Sequence, residues 1–224
     1  MKDSKKALWA IAVIFLILLL DQAIKIWVKT HMNTAMPDYY VNGIRTTDYT
    51  NDIRITNWFY IRFVENPGMA MGINVFGKLF LTIFRIIASI AIAYYIYSLI
   101  KNKFKIGYII LVSMIFAGAV GNILDSIFYG VFFNESTTQH IAAFFPPGGG
   151  YSGWLHGEVV DMFYFPLFRF TWSSWIPWIG GNDFVFFSYI FNLADASISV
   201  GIIVLLLFFR KTLSLSFEKQ KVES

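Results

Sequence analysis

The run from Phe184 to Phe209, FVFFSYIFNLADASISVGIIVLLLFF, constrains this chain more than any other stretch. It is long enough to cross a bilayer as a helix, because a span needs about 20 apolar residues. It also carries Asn192 and Asp195. An ionised aspartate is expensive inside hydrocarbon, so such residues are rare and mark sites. The i, i+3 spacing puts both polar groups on one helical face. No basic residue stands three or four positions from Asp195. Its partner must therefore come from another part of the chain.

Three further apolar runs have spanning length: about 7–28, 75–100 and 106–129, with the fourth at 184–209. Only 14% of the 224 residues are charged, against about 25% in a soluble domain. The class that follows is an all-α polytopic membrane protein forming a single membrane-embedded domain over 1–224. The first run follows Lys2, Lys5 and Lys6 and resembles a secretory signal. It continues through Asp21 and Lys25 with no small-residue cleavage site after it, and so reads as a retained span. Lysines also fill the 101–105 link, and Arg210, Lys211, Lys219 and Lys221 follow the last run. The positive-inside rule then puts both termini in the cytoplasm and the loops 29–74 and 130–183 outside. This distribution explains the net charge of +4 without a nucleic-acid partner.

The outer loops carry their own signals. Tyr40–Arg45 reads as a hairpin turn. Ile53, Ile55, Phe59, Ile61 and Phe63 alternate with polar neighbours, as in one half-buried strand that breaks at Glu65-Asn66-Pro67-Gly68. The second loop holds the irregular run Pro146–Gly150. It also holds Trp154, Trp172, Trp175 and Trp178, rings suited to the membrane–water boundary.

Helix rise sets depth at about 1.5 Å per residue. Asp21 and Lys25 then lie about 21 and 27 Å from Ala7, Asp125 about 27 Å from Gly107, and Asp195 about 22 Å from Arg210. All fall in the outer third of a hydrocarbon core about 30 Å thick. Asp161, in the outer loop, can reach the same level. Asp21 and Lys25 also suit a local i, i+4 ion pair. Asn122 and Asp125, beside Gly118 and Gly121, suit interhelical hydrogen bonding.

The chain has no cysteine and three histidines, which excludes thiol catalysis and argues against a metal centre. Two neighbouring carboxylates cannot both ionise, so a pair holds one proton. The ionised member can deprotonate water while the protonated one donates to a peptide carbonyl. Spacing leaves both Asp125 and Asp161 open as the partner of Asp195. The sequence Gly150-Tyr151-Ser152-Gly153 matches a short serine-protease motif, but it sits in a Gly/Pro-rich loop and no span holds a histidine. His156-Gly157-Glu158 is not a zinc-protease motif. Two other readings are a small proton- or ion-coupled transporter using the same buried acids, and a non-enzymatic binding protein with an inactive pair.

Five blocks in order resemble the lipoprotein signal peptidase family, bacterial signal peptidase II. Asp21-Gln22-Ala23-Ile24-Lys25 is similar to DQxxK, and Glu65–Gly72 to ENxGAAF. Ala117–Asp125 is similar to AGAxGNxxD, Gly157–Met162 to GxVVDF, and Phe191–Asp195 to FNxAD. The resemblance implies four transmembrane helices with a small extracytoplasmic β-cradle. It implies an aspartic endopeptidase of the inner membrane, active at the outer face, that cleaves diacylglyceryl-modified prolipoproteins before the lipidated cysteine. It implies Asp161 and Asp195 as the catalytic pair. Asp21, Lys25, Asn66, Asn122, Asp125 and Asn192 would bind substrate or support the site. It implies no cofactor and no metal. The expected partners are the prolipoprotein, membrane lipids and globomycin-type inhibitors. Two features depart from the family pattern: Ser126 stands where an arginine is usual, and residues 130–156 form an insertion.

Overall fold

The computed structural model describes residues 2–41, 44–67 and 77–223. Three helices are long and apolar enough to cross a membrane: α1 (Asp3–His31), α2 (Lys78–Lys101) and α3 (Ile106–Phe132). They extend the expected runs by a turn or less at most ends. The first residues expected in the second run, Val75 and Phe76, lie outside the described residues.

The fourth run departs from expectation. Its first part is not helical. It forms the strands β7 (Asp183–Phe186) and β8 (Ile190–Phe191). Helix α4 (Leu193–Phe208) starts only after them, and α5 (Arg210–Glu223) follows at a bend of 93°. Hydrophobicity over 184–191 comes from alternating aromatics that suit strands as well as a span. Asn192 stops the helix from extending back. It is the N-cap, its side chain accepting from the Asp195 amide at 2.9 Å, with the Asp195 carboxylate reaching back to the Asn192 amide. Their i, i+3 spacing is thus a capping box rather than a shared helical face. At about 1.5 Å per residue α4 is about 24 Å long, less than a bilayer core. It passes as a span only together with α5.

β3 (Ile53–Arg54), β4 (Tyr60–Asn66), β5 (Val159–Tyr164) and β8 form one antiparallel sheet in that order. The single strand expected over 53–63 is two strands. The amides of Ile55 and Thr56 both donate to the Phe59 carbonyl and turn the chain between them. A bulge between Ile61 and Val64 shifts the β4–β5 register. The hairpin expected at 40–45 is present as β1 (Tyr39–Val41) paired with β2 (Ile44–Thr46); Asn42 and Gly43 between them lie outside the described residues. β6 (Phe168–Thr171) and β7 make a separate ribbon. Its faces differ: Phe168, Phe170, Phe184 and Phe186 stack on one side, while Arg169, Thr171 and Asp183 alternate onto the other.

Two apolar clusters hold the molecule together. One joins α2, α3 and α4 through Leu99, Tyr108, Ile109 and Leu205. The other joins the C-terminal ends of α1 and α3 to the sheet through Val28, Phe63, Tyr129, Val160 and Met162. Small residues let the helices close. A Cβ on Gly118 would lie 2.3 Å from the Ala194 carbonyl oxygen, so α3 and α4 meet nearly backbone to backbone. The 130–156 insertion caps the C-terminal end of α3. The amides of Tyr151 and Ser152 donate to the carbonyls of Phe133 and Gly130.

Candidate active site

The C-terminal half of α1 carries Asp21, Lys25 and Lys29 at i, i+4 and i+8, one charged stripe on the helix. All three are buried. Lys25 Nζ lies 2.9 Å from Asp21 Oδ2 and 2.8 Å from Asp125 Oδ2, and donates to Asn122 Oδ1 at 2.9 Å. The expected local ion pair therefore exists, but it is half of a three-group cluster spanning α1 and α3. A buried cation between two carboxylates needs such geometry to offset desolvation.

The two acids also hold backbone from elsewhere. Asp21 Oδ1 accepts from the Ala194 amide at 2.9 Å, and Asp125 Oδ2 accepts from the Val160 amide at 3.3 Å. Ala194 and Val160 each immediately precede one of the expected catalytic aspartates. The cluster thus fixes the backbone beside both Asp195 and Asp161. Sequence spacing had left Asp125 open as the partner of Asp195; its oxygens are occupied by Lys25, Gln22 and Val160.

Asp161 and Asp195 converge through two asparagines. Asn192 Nδ2 donates to Asp161 Oδ1 at 2.7 Å, and Asn122 Nδ2 donates to Asp195 Oδ1 at 2.8 Å. The asparagines meet each other, Asn192 Nδ2 to Asn122 Oδ1 at 3.1 Å. Asn66, last residue of β4, donates to Asp161 Oδ2 at 3.2 Å. All eight expected site residues therefore belong to one connected network. Burial, and next the charge of Asp195, push the Asp161 carboxyl up to about 7; the Asn66 and Asn192 hydrogen bonds and the Lys25 charge act against this. Asp161 is buried, while Asp195 is half-buried.

Several contributing residues had no assigned role in the sequence reading. Gln22 donates to Asp125 Oδ1 at 2.8 Å and accepts from the Tyr129 hydroxyl at 3.1 Å. A polar residue inside a span was the available signal. Lys29 pairs with Glu65 and donates to Ser136 of the insertion at 2.9 Å, enclosed by Phe63, Phe133 and Tyr151. Burial raises the Glu65 carboxyl despite Lys29. Its place on the α1 stripe, four residues after Lys25, was the signal for Lys29. Arg62 is buried and donates to the Met36 and Asp48 carbonyls and to Asp52, tying the first outer loop to β4. Ser126, where the family arginine is usual, turns inward, its hydroxyl donating to the Asn122 carbonyl at 3.1 Å. His156 contacts the Trp154 carbonyl within its own loop.

The family model described as Signal peptidase (SPase) II matches residues 13–211. The lipoprotein signal peptidase of Porphyromonas gingivalis is 47% identical over 211 residues, covering 94% of this chain and 86% of the relative. That of Amoebophilus asiaticus is 32% identical over 225 residues, covering 99% and 85%. A bacterial membrane enzyme solved by the in meso method at 2.3 Å shares the fold, with a TM-score of 0.55 at 23% identity over 91% of this chain and 88% of that one. A second, solved at 1.9 Å, gives 0.53 at 24% identity over 90% and 92%. On this match across nearly its whole length, the chain belongs to the signal peptidase II family of membrane proteases.

Proposed function

We propose that this protein is an aspartic endopeptidase that removes the signal peptide from diacylglyceryl-modified prolipoproteins, cutting before the lipidated cysteine. Asp161 and Asp195 form the catalytic pair, sharing one proton as a unit. The ionised carboxylate takes a proton from water as it attacks the scissile carbonyl. The protonated one donates to the carbonyl oxygen and stabilises the charge that develops there. Collapse of the tetrahedral intermediate returns a proton to the leaving amine. No residue needs a metal or other cofactor for these steps.

The observation that carries this reading is the two-asparagine bridge that brings Asp161 and Asp195 to one place, with Asp161 raised to about 7 by burial and by its neighbour's charge. A carboxyl that keeps its proton near neutrality is what the second half of the mechanism requires. Asn66, Asn122 and Asn192 hold the pair; Asp21, Lys25 and Asp125 hold the backbone beneath it. The whole chain works as one membrane-embedded domain with four crossings, α4 completing the fourth. Both termini face the cytoplasm and the pair sits at the outer surface of the bacterial inner membrane. The signal peptide arrives sideways from the bilayer as a helix and unwinds at the scissile bond.

The test uses purified, detergent-solubilised protein and a lipidated prolipoprotein, read by gel shift with and without globomycin. Asp161→Asn and Asp195→Asn should remain folded and lose cleavage. Full activity in either variant removes that residue from the mechanism.

A further inference from the structure

A cavity of about 650 Å³ lies on the outer side of the sheet, between the strands and the polar face of the β6–β7 ribbon. Arg62, Tyr164, Arg169, Asp183, Ser188 and Ile190 are among its walls. Tyr164 in its wall shares β5 with Asp161. Val64, also in the wall, is the β4 residue in register with Asp161, and Ile190 lies two residues before Asn192.

Its chemistry is that of a site for neutral polar groups. Two guanidiniums, Arg62 and Arg169, face two carboxylates, Asp38 and Asp183, so the formal charges cancel. The carboxylate of Asp183 is half used: Oδ1 accepts from the Thr171 hydroxyl at 2.6 Å, while Oδ2 is buried with no hydrogen-bond partner among the described residues. A buried carboxylate oxygen left without a donor is costly, and calls for a donor from a ligand. Arg169 places Nη2 on the Thr47 hydroxyl at 2.6 Å, which straps the ribbon to the first outer loop. A guanidinium has five N–H donors in all. Peptide backbone offers what this wall lacks, an N–H for Asp183 and a carbonyl for Arg169, without adding net charge.

Geometry names the peptide. A substrate cleaved at the pair has its signal segment in the bilayer, so the chain beyond the scissile bond must leave outward, past Val64 and Ile190. We infer that this cavity binds the extended polar segment of the prolipoprotein that follows the lipidated cysteine. The inference rests on the peptidase reading above. It makes recognition two-sided, with lipid and signal helix held on the membrane side and mature backbone held under the ribbon.

The test compares two lipidated substrates, one ending just after the cysteine and one extended by a flexible polar segment. The unsubstituted protein should favour the extended substrate about tenfold in kcat/KM, through KM. In Ser188→Trp, which fills the cavity, and Asp183→Leu, which removes the free oxygen, that ratio should fall to about one. A ratio near one in the unsubstituted protein, or a ratio unchanged by Ser188→Trp, overturns the inference. Because the chain has no cysteine, Ser188→Cys gives a second readout that does not need turnover. A thiol-reactive group placed in the mature segment should crosslink to it, and the same group in the signal segment should not. Absence of the first crosslink, or equal yield from both, also overturns it. Cleavage of neither substrate by the unsubstituted protein instead sinks the peptidase reading, and this inference with it.

Discussion

Asn192 touches both members of the proposed pair at once: its amide nitrogen donates to Asp161 at 2.7 Å while its carbonyl oxygen caps α4 at the Asp195 amide, 2.9 Å away. One side chain therefore sets where the last helix begins and what the strand acid sees. Asn192→Ala should lose both. Removing such a cap costs about 1 kcal/mol of stability. Leaving Asp161 short of a donor costs about 1–3 kcal/mol more in the organised site, a drop of roughly 10- to 100-fold in kcat. Asn192→Asp keeps the cap acceptor but brings a third carboxylate to Asp161. Activity should fall with little change in thermal unfolding. Kinetics beside unfolding in detergent separates the two roles.

The pH dependence follows from Asp161. Its folded value, about 7, lies above the usual 3.8. The folded protein therefore binds a proton that the unfolded chain releases. Stability should decline as pH rises from about 4 to about 7 and level off above, since the unfolded state binds fewer protons over that window. Activity needs one proton on the pair, so kcat/KM should fall as pH rises through about 7. Asp161→Asn should flatten the stability slope over that window. An unaltered slope in that variant would assign the titration to another group.

Lys25 is the hinge of the charge cluster. Lys25→Met strands Asp21 and Asp125 in a buried site with no cation, a change that costs about 3–5 kcal/mol when one partner of a buried pair is removed. Asp21 and Asp125 hold the Ala194 and Val160 amides, so activity should fall together with stability. Adding Asp125→Asn to Lys25→Met should recover part of the stability. A double-mutant cycle on thermal unfolding measures that coupling.

Gly118 sets the distance between α3 and α4. In Gly118→Ala the new Cβ would stand 2.3 Å from the Ala194 carbonyl oxygen and 2.7 Å from Ile198 Cγ1. Backbone cannot yield as a side-chain end can, and overpacking of this kind costs about 1–3 kcal/mol. The shift would also move Asp195 away from Asn122, so cleavage should drop. Gly148→Ala, with nothing within 4 Å, should be neutral in both assays.

The sequence by itself determined the class of the protein and marked the polar residues from which the proposed site is built. Apolar runs are a bulk property, read from composition alone, and they located α1, α2 and α3 closely. Acids and amides inside such runs are costly enough that each had to find a partner, so their mere presence marked Asp21, Lys25, Asn122, Asp125, Asn192 and Asp195. What the sequence could not decide was which groups pair, because pairing depends on distance in space. Spacing leaves Asp125 and Asp161 equal as the neighbour of Asp195; the family resemblance names Asp161, and in the structure the α1–α3 cluster occupies Asp125. The start of the last helix was equally hidden. Aromatic residues over 184–191 are apolar whether they lie in a span or a ribbon, and only sheet pairing with β5 and β6 made them strands. The role of Lys29, and of the insertion that supplies Ser136 to it, likewise came from contacts more than one hundred residues apart in sequence. Patterns of three or four residues carry no information about such contacts.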